Sequence, residues 1–532
     1  MRRSSRREFL ATTALSLGAV PVVRTGFGTR AAAQSRVFAH GVASGDPLSD
    51  RVMLWTRVTT ARTDWADVSW KLATDPDLTR PVAQGQGRTG AERDFTVKVD
   101  VTGLSPATTY YYRFEADGDR SAVGRTRTLP RGSASRLRVG VVSCANYPFG
   151  YFNAYAALAA RADLDAVLHL GDYIYEYGNR GFGDGTSRGR IPIPDREVVM
   201  LADYRQRHAQ YKSDPDSQEV HRQHPFIVVW DDHELANNAW SGGAQNHNAD
   251  NREGDWFVRR DAAVRAFFEW MPIREDARTL SPRIYRTLSF GDLADLILLD
   301  TRLVGRDEQA ARDDVTAAHD PGRSLLGAAQ EHWLRGELME SKRANRAWQI
   351  LGQQVMFAPQ TATCQRAGNP DSWDGYRGCR ERVFDMIEQL RVENFAVLTG
   401  DVHSSWAYDL PRRPFDAYEP ATGRGSAGVE FTGTSITSPS NIGAGPDGEK
   451  QIADLRAARP HLHYVDGRYR GYYILDVTRD RLQADYYAVK TIEERTREER
   501  FVKGFAAPAG QMHLTEQPSP SPPPPNPPPP AP

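Results

Sequence analysis

The stretch Leu164–Gly178, LDAVLHLGDYIYEYG, is a short apolar run that ends in polar and aromatic side chains. Other apolar runs that end in polar residues are LRVGVVSC, PFIVVWDDHE, LADLILLDTR, AWQILGQQVM and FAVLTGDVHSS. Longer segments with helical spacing, such as FNAYAALAARAD, lie between them. Near-continuous apolar runs indicate strands that are buried on both faces. The sequence therefore predicts an α/β layer structure with helices outside the sheet.

Side chains that can bind metals follow four of these predicted strands. They are Cys144; Asp172 with Tyr175; Asp232 with His233, Asn237 and Asn238; and Asp401 with His403. Taken singly, each has an ordinary explanation, because Asp closes strands by forming turns and Cys is often a buried apolar residue. In open α/β sheets, however, ligands bind at the C-terminal ends of the strands. Together the four strand ends predict one metal site.

The composition excludes partners that are recognised by long-range charge. The 532 residues are 40% hydrophobic and 25% charged, which is typical of a globular protein of two or three domains. Lys and Arg number 67 and Asp and Glu number 68, so the formal net charge is −1. We therefore expect no nucleic-acid recognition and no attraction to an anionic membrane. We also expect a monomer.

Residues 1–33 are typical of a twin-arginine export signal. Arg6 and Arg7 precede a modest apolar run, and AAAQ offers a cleavage site after about Ala33. The apolar run is shorter than the roughly 18 residues that a membrane-spanning helix needs, so cleavage is favoured over an uncleaved anchor. We expect the twin-arginine export machinery as a partner, and a periplasmic or secreted protein without a stable membrane anchor.

The chain has three cysteines, Cys144, Cys364 and Cys379. In an oxidising compartment, Cys364 and Cys379 can close a loop as a disulfide. Cys144 would then be unpaired, which is a liability outside the cytoplasm unless the thiol is buried or bound to a metal.

Residues 36–130 are predicted to form an N-terminal β-sandwich. The runs RVMLWTRV, DVSWKLATD, DFTVKVDVTGL and TYYYRFEA alternate with period two and are separated by turn residues. GLSPATTYYYRF resembles the late strands of fibronectin type III modules, an immunoglobulin-like fold in which Leu104 and alternate tyrosines pack inward. A structural domain is favoured over a carbohydrate- or wall-binding module.

Five blocks of the sequence have a specific order and spacing: FAHGVASGDPLSDRVMLWTRV, VVSCANYPFGYFNAY, LHLGDYIYEYG, WDDHELANN and LTGDVHSSW. They resemble the PhoD-type alkaline phosphatases of the metallophosphoesterase superfamily, and the resemblance extends to about residue 500. It implies a catalytic domain over residues 137–508 with a metallophosphoesterase-like four-layer αββα sandwich. It also implies an alkaline phosphatase and phosphodiesterase that releases inorganic phosphate from extracellular organophosphates. Asp232 and Asp401 stand where the superfamily usually has Asn and His, so oxygen donors replace nitrogen donors.

The donors divide into two predicted metal sites that share one carboxylate. The first set is Cys144, Asp172, Tyr175 and His403. Its thiolate, carboxylate and phenolate balance a trivalent ion, and Fe³⁺ agrees with the resemblance. The second set is Asp172, Asp232, Asp401 and Asn238, with Asn237 as the alternative amide. Its oxygen donors suit Ca²⁺, or Mg²⁺ or Mn²⁺, more than Zn²⁺. The expected cofactors are one Fe³⁺ and one or two Ca²⁺.

The predicted mechanism needs no serine nucleophile. Two cations about 3.5–4 Å apart can clamp a phosphate and provide a metal-bound hydroxide near neutral pH. The resemblance implies that His233 contacts the phosphate and protonates the leaving oxygen, so His233 and Asp172 are the predicted catalytic residues. Arg302 ends another apolar run and is predicted to bind phosphate or to form a salt bridge with Asp300 or Glu234.

Two other functions are compatible with parts of the sequence. One is a phosphodiesterase that acts on wall teichoic acid or phospholipid head groups. The other is an exported wall-binding protein in which the metals are only structural. A structural metal site would close its coordination sphere and would have no use for His233, so an enzyme is favoured.

The C-terminal region divides into two predicted segments. Val489–Phe505, VKTIEERTREERFVKGF, has the composition of a charged helix, either solvated or, by the resemblance, a lid over the active site. Residues 517–532 are rich in proline and are predicted to be a disordered tail that acts as a spacer or a wall contact.

Overall fold

The computed structural model describes residues 35–62, 64–275, 283–362 and 367–532. The predicted export signal and Cys364 lie outside these residues. Cleavage after Ala33 and the disulfide between Cys364 and Cys379 therefore stay predictions. Ser35–Pro532 form one compact unit.

Strands make up most of the regular structure. In the N-terminal part they are β1 (Val42–Gly45), β2 (Arg51–Arg57), β3 (Trp65–Ala73), β4 (Pro81–Gly90), β5 (Thr96–Thr102), β6 (Thr109–Ala116), β7 (Asp119–Arg120) and β8 (Gly124–Arg127). The later strands are β9 (Arg136–Val142), β10 (Ala166–His169), β11 (Pro225–Val228), β12 (Arg286–Phe290), β13 (Ala294–Leu298), β14 (Trp348–Gly352), β15 (Phe395–Thr399), β16 (Ser405–Pro411), β17 (Ser426–Thr432), β18 (Leu462–Asp466), β19 (Gly471–Thr478), β20 (Arg481–Val489), β21 (Glu499–Pro508) and β22 (Thr515–Gln517).

The α-helices lie between the later strands. They are α1 (Asn153–Ala159), α2 (Leu201–Ser213), α3 (Pro215–Gln223), α4 (Trp256–Trp270), α5 (Val315–His319), α6 (Gly327–Arg343), α7 (Arg377–Leu390) and α8 (Pro446–Ala458). Within the part of the chain that the structure describes, none of these helices is long and apolar enough to cross a membrane.

Two mixed sheets and a smaller antiparallel sheet organise the chain. The ten-stranded sheet has the order β22-β21-β20-β19-β9-β10-β11-β1-β2-β5, in which β9, β10, β11 and β1 are parallel. The seven-stranded sheet has the order β12-β13-β14-β15-β17-β16-β18, in which β13, β14, β15 and β17 are parallel. The five-stranded sheet comprises β4-β3-β6-β7, with β8 paired to β6. Parallel neighbours place their carboxyl ends at one edge, where ligands bind in α/β folds.

The two larger sheets contact each other through an apolar core. Leu168 of the ten-stranded sheet and Leu298 and Leu398 of the seven-stranded sheet belong to one buried cluster. Tyr486 in β20 also donates its hydroxyl to the carbonyl of Trp406 in β16, at 2.6 Å. Helices α1 and α3 contact the ten-stranded sheet, and α6 and α7 contact the seven-stranded sheet. The predicted mixed α/β class with buried parallel strands is confirmed.

The N-terminal strands form two packed layers, and one of these layers is part of the ten-stranded sheet. β1, β2 and β5 continue the ten-stranded sheet, because β1 pairs in parallel with β11. The five-stranded sheet packs over them through a cluster that includes Leu54, Leu72 and Phe114. The period-two pattern correctly predicts these strands. It does not reveal the long-range pairing with β11, because that pairing joins segments that are far apart in the sequence.

The predicted C-terminal helix over Val489–Phe505 is wrong. Glu499–Pro508 form β21, which is hydrogen-bonded to β20 on one side and β22 on the other. Phe501 packs against the ring of Tyr487 in the neighbouring strand, with ring centroids 6.0 Å apart. Cross-strand pairing and packing outweigh the helix-forming composition of this charged segment. The segment consequently provides no lid helix.

The proline-rich tail, residues 517–532, packs against the rest of the chain, so the prediction of a disordered tail is wrong. The Ser521 amide donates to Asp485 Oδ2 at 2.8 Å. Ala531 is buried and exchanges two hydrogen bonds with the side chain of Gln223, at 2.9 and 3.1 Å. Proline has no amide hydrogen to donate, but proline carbonyls of the tail accept hydrogen bonds from the rest of the chain: Tyr111 donates to Pro529 at 2.7 Å and Arg222 donates to Pro532 at 2.6 Å.

Candidate metal centre

Four strand ends from two sheets bring the predicted donors together. Cys144 follows β9, Asp172 follows β10 and Asp232 follows β11, and these three strands are parallel neighbours in the ten-stranded sheet. Asp401 and His403 follow β15 in the facing seven-stranded sheet. The centre therefore lies where the carboxyl ends of both parallel regions meet.

The backbone at five of the candidate ligands is in the left-handed region. The φ angles are 63° at Cys144, 55° at Asp172, 52° at Asn238, 61° at Asp401 and 55° at His403. This conformation is uncommon for residues other than glycine, and such residues persist where the surrounding structure holds them for a function. Cys144, Asp172 and Asp401 lie where the chain leaves β9, β10 and β15.

The side chains of the first predicted donor set lie close together. The ligand atoms of Cys144, Asp172 and His403 lie within 4.8 Å of one another. The Tyr175 hydroxyl donates to Asp172 Oδ2 at 2.9 Å and lies 3.2 Å from His403 Nε2. Ser438 donates to the same hydroxyl at 2.7 Å. All four predicted donors thus face one point.

Without a bound metal ion, the protein environment favours the protonated forms of two of these donors. Burial, followed by the charge of Asp172, raises the pKa of Cys144 well above its ordinary value. Burial and the same carboxylate raise the pKa of Tyr175 in the same direction. A thiolate and a phenolate at this position therefore require a strong Lewis acid, which agrees with a site for a highly charged metal ion.

A second group of candidate ligands consists of carboxylates and one imidazole. Asp172 and Asp232 lie within 4.8 Å of His233, and Asp231 and Asp232 lie equally close to Asp401. Burial raises the pKa of Asp401 to about 7, and other carboxylates add to this rise. The Oδ2 of Asp231 and the Oδ1 of Asp232 are buried without a hydrogen-bond partner among the described residues. Arg302 Nη2 lies 3.5 Å from Asp232 Oδ1, and carboxylate oxygens without a hydrogen bond in a crowded anionic site fit a bound cation.

The side-chain amides of Asn237 and Asn238 make equivalent contacts with Gln245. The backbone amide of Asn238 donates to Asp232 Oδ2 at 2.6 Å. The side-chain amide nitrogens of Asn237 and Asn238 both donate to Gln245 Oε1, at 2.8 and 2.6 Å. Both side chains therefore remain candidate ligands through their oxygen atoms.

Arg302 lies within a cage of carboxylates. Its fully buried guanidinium pairs with Asp231, with Asp371 at 2.8 Å and with Asp401 at 3.1 Å. The alternative of a salt bridge to Asp300 is wrong, because Asp300 Oδ1 accepts the backbone amide of Arg302 instead.

A salt bridge from Arg302 to Glu234 is also wrong. The Glu234 carboxylate accepts the backbone amides of Asp172 at 3.0 Å and Asp231 at 2.7 Å, and also that of Tyr173. It therefore fixes the loops after β10 and β11 relative to each other.

His233 is held beside the centre by a second acidic residue. Its Nδ1 lies 2.7 Å from Glu176 Oε2, and its ring stacks on Tyr175 with centroids 4.2 Å apart. Burial lowers the pKa of His233, but the charges of Glu176 and then Asp232 outweigh it, so the pKa is raised well above its ordinary value. The imidazole can thus carry a proton at the edge of the donor cluster.

Three residues of this arrangement are missing from the sequence prediction. Asp231 is the first carboxylate of WDDHE, and the doubled Asp was the available signal. Glu176 belongs to the quoted DYIYEYG run and could have been proposed as a partner for a nearby His. Asp371 lies in a loop far from any predicted strand end, and no local pattern connects it to Arg302.

Comparison with known proteins gives three concordant results. The sequence matches the PhoD-like phosphatase family over residues 139–486 and the N-terminal domain of PhoD-like phosphatases over residues 24–130. Alkaline phosphatase D of Bacillus subtilis (strain 168) is 38% identical over 475 residues, covering 86% of this chain and 78% of that protein. A solved structure of PhoD is 34% identical, has a TM-score of 0.83, and the match covers 92% of this chain and 93% of that one. The matched region 139–486 contains every strand end described above.

Proposed function

This chain belongs to the PhoD-like phosphatase family and is a phosphoric ester hydrolase, and we propose that it hydrolyses phosphate monoesters and diesters at a centre of one Fe³⁺ and one or two Ca²⁺. The observation that carries the proposal is the position of Asp172. Its carboxylate belongs both to the group with Cys144 and His403 and to the group with Asp232 and His233. The family match favours an enzyme over a wall-binding protein without activity.

The donor chemistry assigns each set of residues to an ion. Cys144, Tyr175 and His403 would hold iron, because thiolate and phenolate are strong donors for a ferric ion. Asp232 and Asp401, with an amide oxygen, would hold calcium, because Ca²⁺ prefers carboxylate and carbonyl oxygens. When bound, the two ions supply Lewis acidity that activates water and neutralises charge on the phosphoryl oxygens. We interpret the stacked sheets and helices as the metallophosphoesterase-like αββα sandwich.

The protein residues around the centre position and protonate the substrate. Glu176 engages Nδ1 of His233, so Nε2 is the nitrogen that can donate to the leaving oxygen. The rings of Tyr177 and Phe182 lie 5.7 and 6.4 Å from the His233 ring and shield it from solvent. We reassign Arg302 from substrate binding to the neutralisation of Asp231, because its guanidinium is fully buried among carboxylates.

The proposed place of action is outside the cytoplasm. It is supported by the twin arginines and the apolar run of residues 1–33. An unpaired Cys144 is compatible with such a compartment if it is bound to iron before export, which is what a pathway for folded proteins permits. The natural substrates would be extracellular organophosphates.

Removal of calcium is expected to abolish hydrolysis and to leave the iron in place. The carboxylate and amide oxygens of the calcium set exchange the ion readily, whereas thiolate and phenolate retain iron. The measurement is hydrolysis of one monoester and one diester before and after treatment with a calcium-selective chelator. The visible charge-transfer absorption that is expected of ferric iron bound by thiolate and phenolate is recorded in parallel. Added Ca²⁺ should restore both activities, and added Mg²⁺ serves as the matched control. Full activity after exhaustive chelation and dialysis would show that no catalytic calcium is present.

A further inference from the structure

A second cluster of metal-binding side chains lies away from the centre. Asp409 lies in β16, His463 in β18, and His513 in the segment between β21 and β22. β16 begins at Ser405 beside the centre and carries the chain away from it, so Asp409 lies about 13 Å farther along the strand. The family comparison and the proposed centre leave this cluster unexplained.

The three side chains converge on one point. His513 Nδ1 lies 2.7 Å from Asp409 Oδ2, and His463 Nε2 lies 3.2 Å from Asp409 Oδ1. All three ligand atoms lie within 4.8 Å of one another. The Asp409 side chain is fully buried, whereas those of His463 and His513 are 20% and 22% exposed. An ion at this point would be open to water on the histidine side.

The surroundings hold the carboxylate and make room for an imidazole. The Tyr418 hydroxyl donates to Asp409 Oδ2 at 2.7 Å, and the Leu514 amide donates to Oδ1 at 2.9 Å. Gly423 has a φ of 72°, and a Cβ there would lie 2.4 Å from the Cβ of His513. Outer contacts of this kind orient metal ligands in known sites.

One ring nitrogen of the cluster makes no well-aligned hydrogen bond. His463 Nε2 is buried and has no partner with hydrogen-bond geometry among the described residues, although Asp409 Oδ1 is near. Nε2 therefore has only this poorly aligned contact with the carboxylate, and a cation between the two groups would be bound by both of them.

We propose that Asp409, His463 and His513 form a Zn²⁺ site, with water completing the coordination. Two imidazoles and one carboxylate are a common zinc ligand set, and ions such as Ca²⁺ and Mg²⁺ prefer a set of oxygen atoms. The site joins two sheets, because β16 and β18 belong to the seven-stranded sheet and His513 lies between strands of the ten-stranded sheet. The ion would fasten the C-terminal segment to the edge of the seven-stranded sheet.

The test is zinc binding to the full chain whose iron and calcium sites are already filled. The wild type should bind one further equivalent of Zn²⁺, measured by calorimetry and by elemental analysis after gel filtration. His463→Gln and His513→Gln should each weaken this binding by more than about 100-fold, because each removes a ligand. His332→Gln, which changes an exposed histidine on α6, is the matched control and should bind zinc as the wild type does.

Cobalt provides a readout that does not depend on activity. Co²⁺ added to the same protein should produce a visible d–d band in the wild type that is absent from both variants. Tyr418→Phe should keep the stoichiometry and weaken zinc binding by about 10- to 100-fold, because it removes only a contact to the carboxylate. If the wild type takes up no further zinc, or if the histidine variants bind it unchanged, the site does not exist. Phosphatase activity is expected to be unaffected in every variant, so this result is independent of the proposed function.

Discussion

Asp172→Asn is expected to lower kcat/KM for phosphate esters by more than about 10³-fold and to remove iron and calcium together. The carboxylate is the one group that both donor clusters share. It also accepts the Tyr175 hydroxyl at 2.9 Å, so its charge organises the phenol that is proposed to bind iron. Asn has the same shape and tolerates the φ of 55° at this position, so the loss would come from the missing charge and not from backbone strain.

The measurement combines kinetics with elemental analysis of the purified variant. Asp67→Asn is a suitable control, because Asp67 is an exposed aspartate in β3 whose carboxylate pairs only with Arg88 among the described ion pairs. It should keep normal activity and metal content. If Asp172→Asn retained both metals and more than a tenth of the activity, Asp172 would not be the bridge between the two sites.

His233→Ala is expected to keep both metals and to lower turnover by about 10²- to 10⁴-fold, as is typical for the loss of a proton-transfer group. The size of the loss should depend on the leaving group. An alkoxide needs a proton as it departs, whereas a nitrophenolate leaves without one. Alkyl esters should therefore be affected more than nitrophenyl esters.

Two comparisons decide the role of His233. Glu176→Gln keeps a hydrogen-bonding group next to Nδ1 and removes its charge, so it should show the same dependence on the leaving group in weaker form. Equal losses on both esters in His233→Ala would mean that the imidazole binds phosphate and does not donate a proton. Loss of metal from His233→Ala would mean that it is a ligand.

The sequence predicts the part of the site that lies directly after strands. Apolar runs identify β9, β10, β11 and β15, and the polar residues at their ends include Cys144, Asp172, Asp232 and Asp401. The geometry of a parallel sheet brings the ends of β9, β10 and β11 together, whereas the approach of the end of β15 depends on how the two sheets pack. Their assignment to iron and calcium depends on donor chemistry and on the family resemblance.

The remaining features depend on contacts between distant segments. Asp371 reaches Arg302 from a loop, and the pairing of β1 with β11 joins the N-terminal strands to the catalytic sheet. The segment Glu499–Pro508 has a charged, helix-like composition and becomes a strand because β20 and β22 pair with it. The local sequence pattern contains no information on these partners, and the helix prediction failed because tertiary pairing outweighed the local preference of the segment.

Metal analysis of active protein tests the central claim most directly. The account predicts about one iron per chain together with calcium, and a visible charge-transfer band from phenolate and thiolate bound to ferric iron. Tyr175→Phe should lose the phenolate component of this absorption and Cys144→Ser should lose the thiolate component, because each variant removes one of the two donors. Fully active protein that contains no iron and shows no such band would contradict the account.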